Sequence, residues 1–356
     1  MVILNFYGKL LQPVCISKKL RVFISNLPKG EYNNWNRHLV EMLEAEIKER
    51  EIFKEQYKDV PDASFQPYDL QKICGKQFPW ENIPQNAVEG EYLQMIADNL
   101  ICIYFDYNYE DMPFWDWTTN CFDGRLCEED YAEKLMDFLQ FVVRNAKEAE
   151  KEMPYKFPGY IYTSNHDLKH QFVLGRIKLY FPYDKEDYIA SLQAWGKWID
   201  NFLETPNDFY QLDFLMNAIY KDREYNAYHF LKSFSLCEML LLQNRKDAHT
   251  RDIDEKLVTY IEDDYSKKEK ALLAEYVRRI RNAIGHGNFM QLNCLTEKVG
   301  KDILDSHYVF DYTEFSRQNW ILQSLCCILD NALARILYLY ISDKNSFPDS
   351  TNFDKK

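Results

Sequence analysis

The stretch Leu273-Ala274-Glu275-Tyr276-Val277-Arg278-Arg279-Ile280-Arg281-Asn282-Ala283-Ile284-Gly285-His286-Gly287-Asn288 decides how the C-terminal part of the chain is read. Leu273, Tyr276, Val277 and Ile280 recur at intervals of three and four, the spacing that gathers side chains on one face of an α-helix. This predicts a helix over Lys267–Ile284 that stops at Gly285. Arg281 and His286 close the helix with four residues between them. Along a straight helix, five positions turn the chain by roughly 500°, so the two side chains would not share a face. Gly285 and Gly287 flank His286, and the expectation is that the backbone leaves the helix there. The imidazole then swings back toward the guanidinium.

Arginine offers a fixed, always-charged fork to phosphate oxygens, and histidine moves protons near neutrality. Together they suffice for RNA cleavage by internal transesterification. His286 would take the ribose 2′-hydroxyl proton or deliver one to the leaving 5′-oxygen, and Arg281 would neutralise charge on the phosphorane. Asn282 is placed to hold the imidazole or the phosphate with its amide. The spacing by itself is weakly specific. With four to six residues allowed between Arg and His, Arg223 with His229 and Arg279 with His286 also fit, but the first pair lacks an Asn neighbour and a Gly break. Arg281 is preferred over Arg279 because Asn282 follows it.

Around this motif the pattern is helical. Phe209–Tyr220 is a short segment assignable to either domain. Tyr225–Leu242 puts Ala227, Phe230, Leu231, Phe234, Cys237, Glu238 and Leu241 on one stripe. Thr313–Ile341 carries Ile321, Leu325, Ile328, Leu329, Ala332, Leu333, Ile336, Leu337 and Tyr340 in series. With Lys267–Ile284 these predict an antiparallel bundle of four to five helices. Glu238 departs from its apolar neighbours, and a carboxylate on a core face is costly unless paired, so Arg281 or Arg278 is its expected partner.

An Arg-Asn-x-x-x-His motif closing an amphipathic helix inside such a bundle resembles the HEPN superfamily. The resemblance covers roughly residues 207–342, and is strongest over Leu273–Asn288. Phe234–Leu241 is similar to the family's upstream helix, which often carries a Glu in an apolar stripe. The resemblance implies a metal-independent endoribonuclease without a cofactor, with cyclic-phosphate and 5′-hydroxyl products. It also implies a homodimer in which two motifs meet across a two-fold interface, and a role as a toxin or in antiviral defence, with an antitoxin or defence-system partner. Catalysis falls to Arg281, His286, Asn282 and Glu238, whereas some members of the superfamily are non-catalytic scaffolds. Arg278, Arg279 and Lys270 supply a basic face for RNA; a solvated helix face whose Arg cluster suits the helix dipole is the competing explanation.

Residues 1–205 read as an α+β domain. Val2–Tyr7, Leu20–Ser25, Leu100–Tyr107, Gly159–Thr163 and Phe172–Phe181 are strand-like runs. Arg37–Tyr57, Glu129–Glu152 and Asp187–Glu204 are helical, and 58–90 is irregular. A turn-like stretch, Thr205-Pro206-Asn207-Asp208, separates this part from an all-α domain over 206–344. A polar tail, 345–356, follows. At 356 residues, two domains are expected rather than one core.

The chain is 46% hydrophobic and 28% charged, which is globular rather than disordered, and its net charge of −13 opposes broad duplex binding. The nine cysteines form no CxxC pair, fitting reduced thiols and a cytoplasmic location. The N-terminus lacks a signal-peptide pattern, and no window reaches the ~18 uninterrupted apolar residues of a spanning helix, so no membrane is expected. His166 and His170 have metal-like spacing without a third ligand, in a segment expected to be a loop, and no metal is assigned. Trp115-Asp116-Trp117 reads as packing, and His229 and His307 as structural or exposed. No phosphate-cradling Gly-rich loop, Gly-x-Ser-x-Gly elbow or nucleotidyltransferase pattern is found.

Overall fold

Among the described residues, six short strands pair into one antiparallel sheet. They are β1 (Val2–Tyr7), β2 (Val14–Ser17), β3 (Val22–Asn26), β4 (Leu100–Phe105), β5 (Tyr160–Ser164) and β6 (Asp167–His170). The structure, a computed structural model, describes residues 2–7, 10–26, 52, 55–56, 100–105, 134–135, 137–138, 141–142, 160–164, 167–170, 185–220, 224–242, 251–307 and 314–343. The strand order is β2-β3-β4-β1-β5-β6. The apolar β1 lies inside the sheet, with Val2 opposite Ile103 of β4 on one side and Tyr162 of β5 on the other. Every neighbouring pair is antiparallel, as in an α+β rather than an α/β domain.

Helix α1 (Lys185–Phe202) packs on β2 and buries Trp195, Ile199 and Phe202. The approach is close because Gly196 has no side chain: a Cβ there would lie 2.0 Å from the Ile16 carbonyl oxygen. Asp200 of the same helix fixes the β2–β3 turn, accepting from the Ser17 hydroxyl at 2.5 Å, Lys18 N at 2.9 Å and Lys19 N at 3.0 Å. Helix α2 (Pro206–Ile219) follows, and Asp208 in its first turn accepts from Glu204 N and Thr205 N.

The chain divides into two compact units, Met1–Gln140 with Lys151–Asn217, and Phe141–Glu150 with Ala218–Lys356. The division falls one helix later than the boundary placed from the sequence, so nearly all of α2 belongs with the sheet. Several expectations lie outside the described residues: the strand Phe172–Phe181, the irregular stretch 58–90, the tail 345–356, Trp115-Asp116-Trp117, Arg223 and His166. Of Arg37–Tyr57, Ile52, Glu55 and Gln56 are described and helical. Of Glu129–Glu152, Leu135, Phe138 and Val142 are helical and buried, as their spacing requires. The expected loop at His170 is instead β6, paired with β5.

The second unit is helical: α3 (Ala227–Leu242), α4 (Asp252–Leu257), α5 (Lys267–Gly285), α6 (Phe289–Val299), a π-helical turn (Gly300–Leu304), α7 (Asp305–His307) and α8 (Glu314–Ser342). The three long helices read from the sequence are present within two residues of their expected ends. Helix α4, α6, the π turn and α7 were not foreseen. Every apolar residue of the expected α8 series is buried except the half-covered Tyr340. Ser316–Ser342 is the one described helical stretch long and apolar enough to cross a membrane, yet 67% of its apolar window is buried within the unit, as in a core helix.

Helices α3 and α8 also share a buried polar cluster. His229 Nε2 lies 2.9 Å from both Asp330 carboxylate oxygens, and Ser233 Oγ donates to Asp330 at 2.8 Å. His229 is thus buried against Asp330, not exposed. Burial pushes the nearby Lys232 amine below its ordinary pKa, against the pull of Asp330.

Candidate active site

Helix α5 presents the motif, and both its ends are fixed by local chemistry. At the N-terminus, Ser266 Oγ accepts from Glu269 N at 3.3 Å while Glu269 Oε2 accepts from Ser266 N at 2.7 Å, a reciprocal capping box. His307 Nε2 reaches the other Glu269 oxygen at 3.0 Å. Ser266 first, and then His307, hold the Glu269 carboxyl down to about 2.

At the C-terminus the helix runs one residue further than expected and includes Gly285. The left-handed residue that ends it is Gly287, with φ of 66°. Asn288 N donates to Ala283 O at 2.8 Å, and Gly287 N to Ile284 O at 3.0 Å. This crossed pair of bonds is a Schellman motif, and Gly287 occupies the position where a Cβ would be strained. Asn288 then caps α6 by accepting from Gln291 N at 3.0 Å. His286 therefore sits at the C-cap with φ −99° and ψ 3°, and its side chain is exposed.

Arg281 is turned onto α3. Its Nη2 lies 3.4 Å from Glu238 Oε2, its Nη1 donates to Asn282 Oδ1 at 3.2 Å, and its guanidinium carbon is 5.9 Å from the centre of the Phe234 ring. Glu238 thus has a cationic partner, and of the two expected candidates it is Arg281. The contact is long and uses one oxygen, and Arg281 remains 34% exposed. A guanidinium has five N–H donors, so several stay open to an anion.

Arg281 and His286 make no hydrogen bond to each other within one chain; the guanidinium bonds Asn282 and Glu238 instead. The reason is the late break. Helical geometry persists through Gly285, so Arg281 stays on the α3-facing side while His286 stands at the exposed cap.

The three further basic residues differ from one another. Arg278 Nε donates to both Asp254 oxygens, at 2.8 and 2.9 Å, and is 15% exposed. Its Nε is tied to α4, and the side chain has little surface left to offer RNA. Lys270 Nζ is bonded to Asp263 at 2.8 Å and is also 15% exposed, which leaves little of it to offer RNA. Arg279 pairs with Glu275 at 3.1 Å, one turn away on an exposed face. Such a bridge is worth ~0–1 kcal/mol and yields readily to a polyanion.

Two residues around the site escaped the sequence reading. Phe234 counted as core, yet its ring also supports the guanidinium. Asp254 lay in a segment too short to show periodicity. Among the described residues no three His, Cys, Asp or Glu side chains gather as a metal-ligand set. No protein-family model, curated protein or solved structure matches the chain.

Proposed function

We propose that the chain is a metal-independent endoribonuclease of the HEPN type, working in the cytoplasm in antiviral defence or as a toxin. The observation that carries this reading is Arg281. Among the described arginines of α5 it alone is backed by an aromatic ring, held loosely by a carboxylate and left with donors open, five positions before an exposed histidine.

His286 takes the proton of a ribose 2′-hydroxyl as the 2′-oxygen attacks phosphorus, and the bond to the 5′-oxygen breaks as the imidazolium gives a proton to that oxygen, leaving a cyclic phosphate and a 5′-hydroxyl. A positioned acid–base group contributes ~10²–10⁴-fold. Arg281 holds the phosphorane charge, Asn282 assists, and Glu238 orients the guanidinium. Because one chain does not join Arg281 to His286, the reading uses a homodimer in which the motifs of two copies meet on one RNA strand. An antitoxin or defence-system protein is the expected further partner.

The test is incubation of purified protein with labelled RNA in EDTA. Cleavage that persists there and disappears in His286→Ala supports the reading, and cleavage unchanged in that variant removes the site. A second reading, a non-catalytic HEPN scaffold, is favoured by Arg281 bonding Asn282 and Glu238 and not His286. Expression separates the two, since the nuclease arrests growth in a His286-dependent way and the scaffold does not.

A further inference from the structure

Four glycines fall among the described residues, and three have a reason within the chain. Gly196 lets the Ile16 carbonyl approach, Gly287 supplies a φ of 66°, and a Cβ on Gly300 would lie 2.7 Å from Arg317 Nη2 and 2.9 Å from Ile321 Cδ1. Gly285 has none. It lies within α5 without a positive φ, is exposed, and a Cβ built there would meet nothing within 4 Å among the described residues. Glycine at such a helical position weakens the helix relative to alanine, so the chain tolerates a loss that its own packing does not require.

What lies around Gly285 indicates the kind of molecule that needs the space. His286 is exposed beside it, and Arg281 offers open donors one turn earlier. After the Asn288 cap, Phe289 and Met290 are 75% and 81% exposed at the start of α6. A bare backbone, a cation and an uncovered aromatic are the elements that proteins use to hold single-stranded nucleic acid: close approach for the sugar–phosphate, charge for the phosphate and a flat surface for the base.

We propose that Gly285 is bare so that the sugar–phosphate of a single-stranded RNA can lie against the last turn of α5, with Phe289 stacking an unpaired base next to the cleaved bond. This rests on the RNA-binding part of the ribonuclease reading and adds two binding residues to it.

The test uses Gly285→Ala, Gly285→Leu, Phe289→Ala and Phe289→Tyr, each also made in a His286→Ala background so that binding is read without cleavage. The probe is a short fluorescein-labelled single-stranded RNA followed by anisotropy. Gly285→Ala and Gly285→Leu are expected to raise Tm by about 1–3 °C, since alanine and leucine favour the helix. Both weaken RNA binding nonetheless, Gly285→Leu by about tenfold or more. Phe289→Ala loses about tenfold, within the range of one base stack, while Phe289→Tyr keeps the affinity.

Unchanged RNA affinity in Gly285→Leu overturns the proposal, and so does a lower Tm, which would mean that the glycine serves the fold. Sedimentation of the same variants reveals the competing occupant: a lost dimer with unaltered RNA affinity would assign the surface to a second copy of the chain. Wild-type protein that binds the RNA without cutting it sinks the nuclease reading and leaves this one standing. Protein that does not bind the RNA sinks both.

Discussion

Replacing Glu238 with glutamine separates the stability of the Arg281 contact from its use. The contact is one long interaction at 3.4 Å between side chains 34% and 22% exposed. A partly solvated ion pair of this kind contributes ~0–1 kcal/mol, so Glu238→Gln should lower Tm by no more than about 3 °C. The effect on cleavage should be larger. Arg281 stabilises transition-state charge in this account, and removing one such group costs about 10²–10³-fold in rate. Glu238 acts through Arg281 by fixing where the guanidinium points, and a small misplacement costs up to about 10²-fold. Single-turnover cleavage of a labelled RNA is therefore expected to fall about 10–100-fold in Glu238→Gln and further in Arg281→Ala. The double variant should be no slower than Arg281→Ala, because Glu238 has no route to the phosphate once the guanidinium is gone. Multiplying losses in the double variant, or full activity in Glu238→Gln, would refute the reasoning.

Arg278→Ala should cost about 2 kcal/mol of stability, visible as a lower denaturant midpoint, with little change in RNA affinity, because its Nε is tied to Asp254 and the side chain is 15% exposed. Burial already raises the Asp254 carboxyl against the pull of Arg278, so the cost should be larger at neutral pH than in acid, where the carboxyl is protonated. The Glu269 carboxyl is held below its ordinary value, to about 2, by Ser266 and His307. A depressed acid stabilises the fold above its unfolded pKa, and that contribution is lost as pH falls from the ordinary value of 4.5 through about 2; melting curves in this window should flatten in Glu269→Gln. Asp330→Ala leaves the buried His229 and Ser233 without their carboxylate and should destabilise by about 3 kcal/mol or more in chemical denaturation. Gly196→Ala sets a Cβ against a backbone oxygen that cannot move aside, for a loss of about 1–3 kcal/mol by the same assay.

The long elements were legible because periodicity accumulates with length. The α8 series repeats its apolar positions over many turns, and the burial follows it almost residue by residue. The two strands that went unseen are the two edges of the sheet. β2 is four residues long, and β6 reads Asp-Leu-Lys-His, a polar edge without apolar alternation. Helix α4 has six residues, too few for a pattern. Two helix starts are written locally: Ser266, three residues before Glu269, caps α5, and Asn288 caps α6. At the helix end, both Gly285 and Gly287 are plausible stops by residue type, and the choice between them depends on which residue is left-handed. Of the candidate site, the Glu238–Arg281 pairing followed from the cost of a lone carboxylate on an apolar stripe. The commitment of Arg278 to Asp254 did not, because it joins segments 24 residues apart through tertiary packing alone.

The central claim is tested most directly by the chemistry of cut ends. RNA incubated with the full chain in excess EDTA should carry 2′,3′-cyclic phosphate and 5′-hydroxyl termini, both absent with Arg281→Ala or His286→Ala. RNA left whole by the wild-type chain, or the same termini produced by either variant at the wild-type rate, would contradict the account.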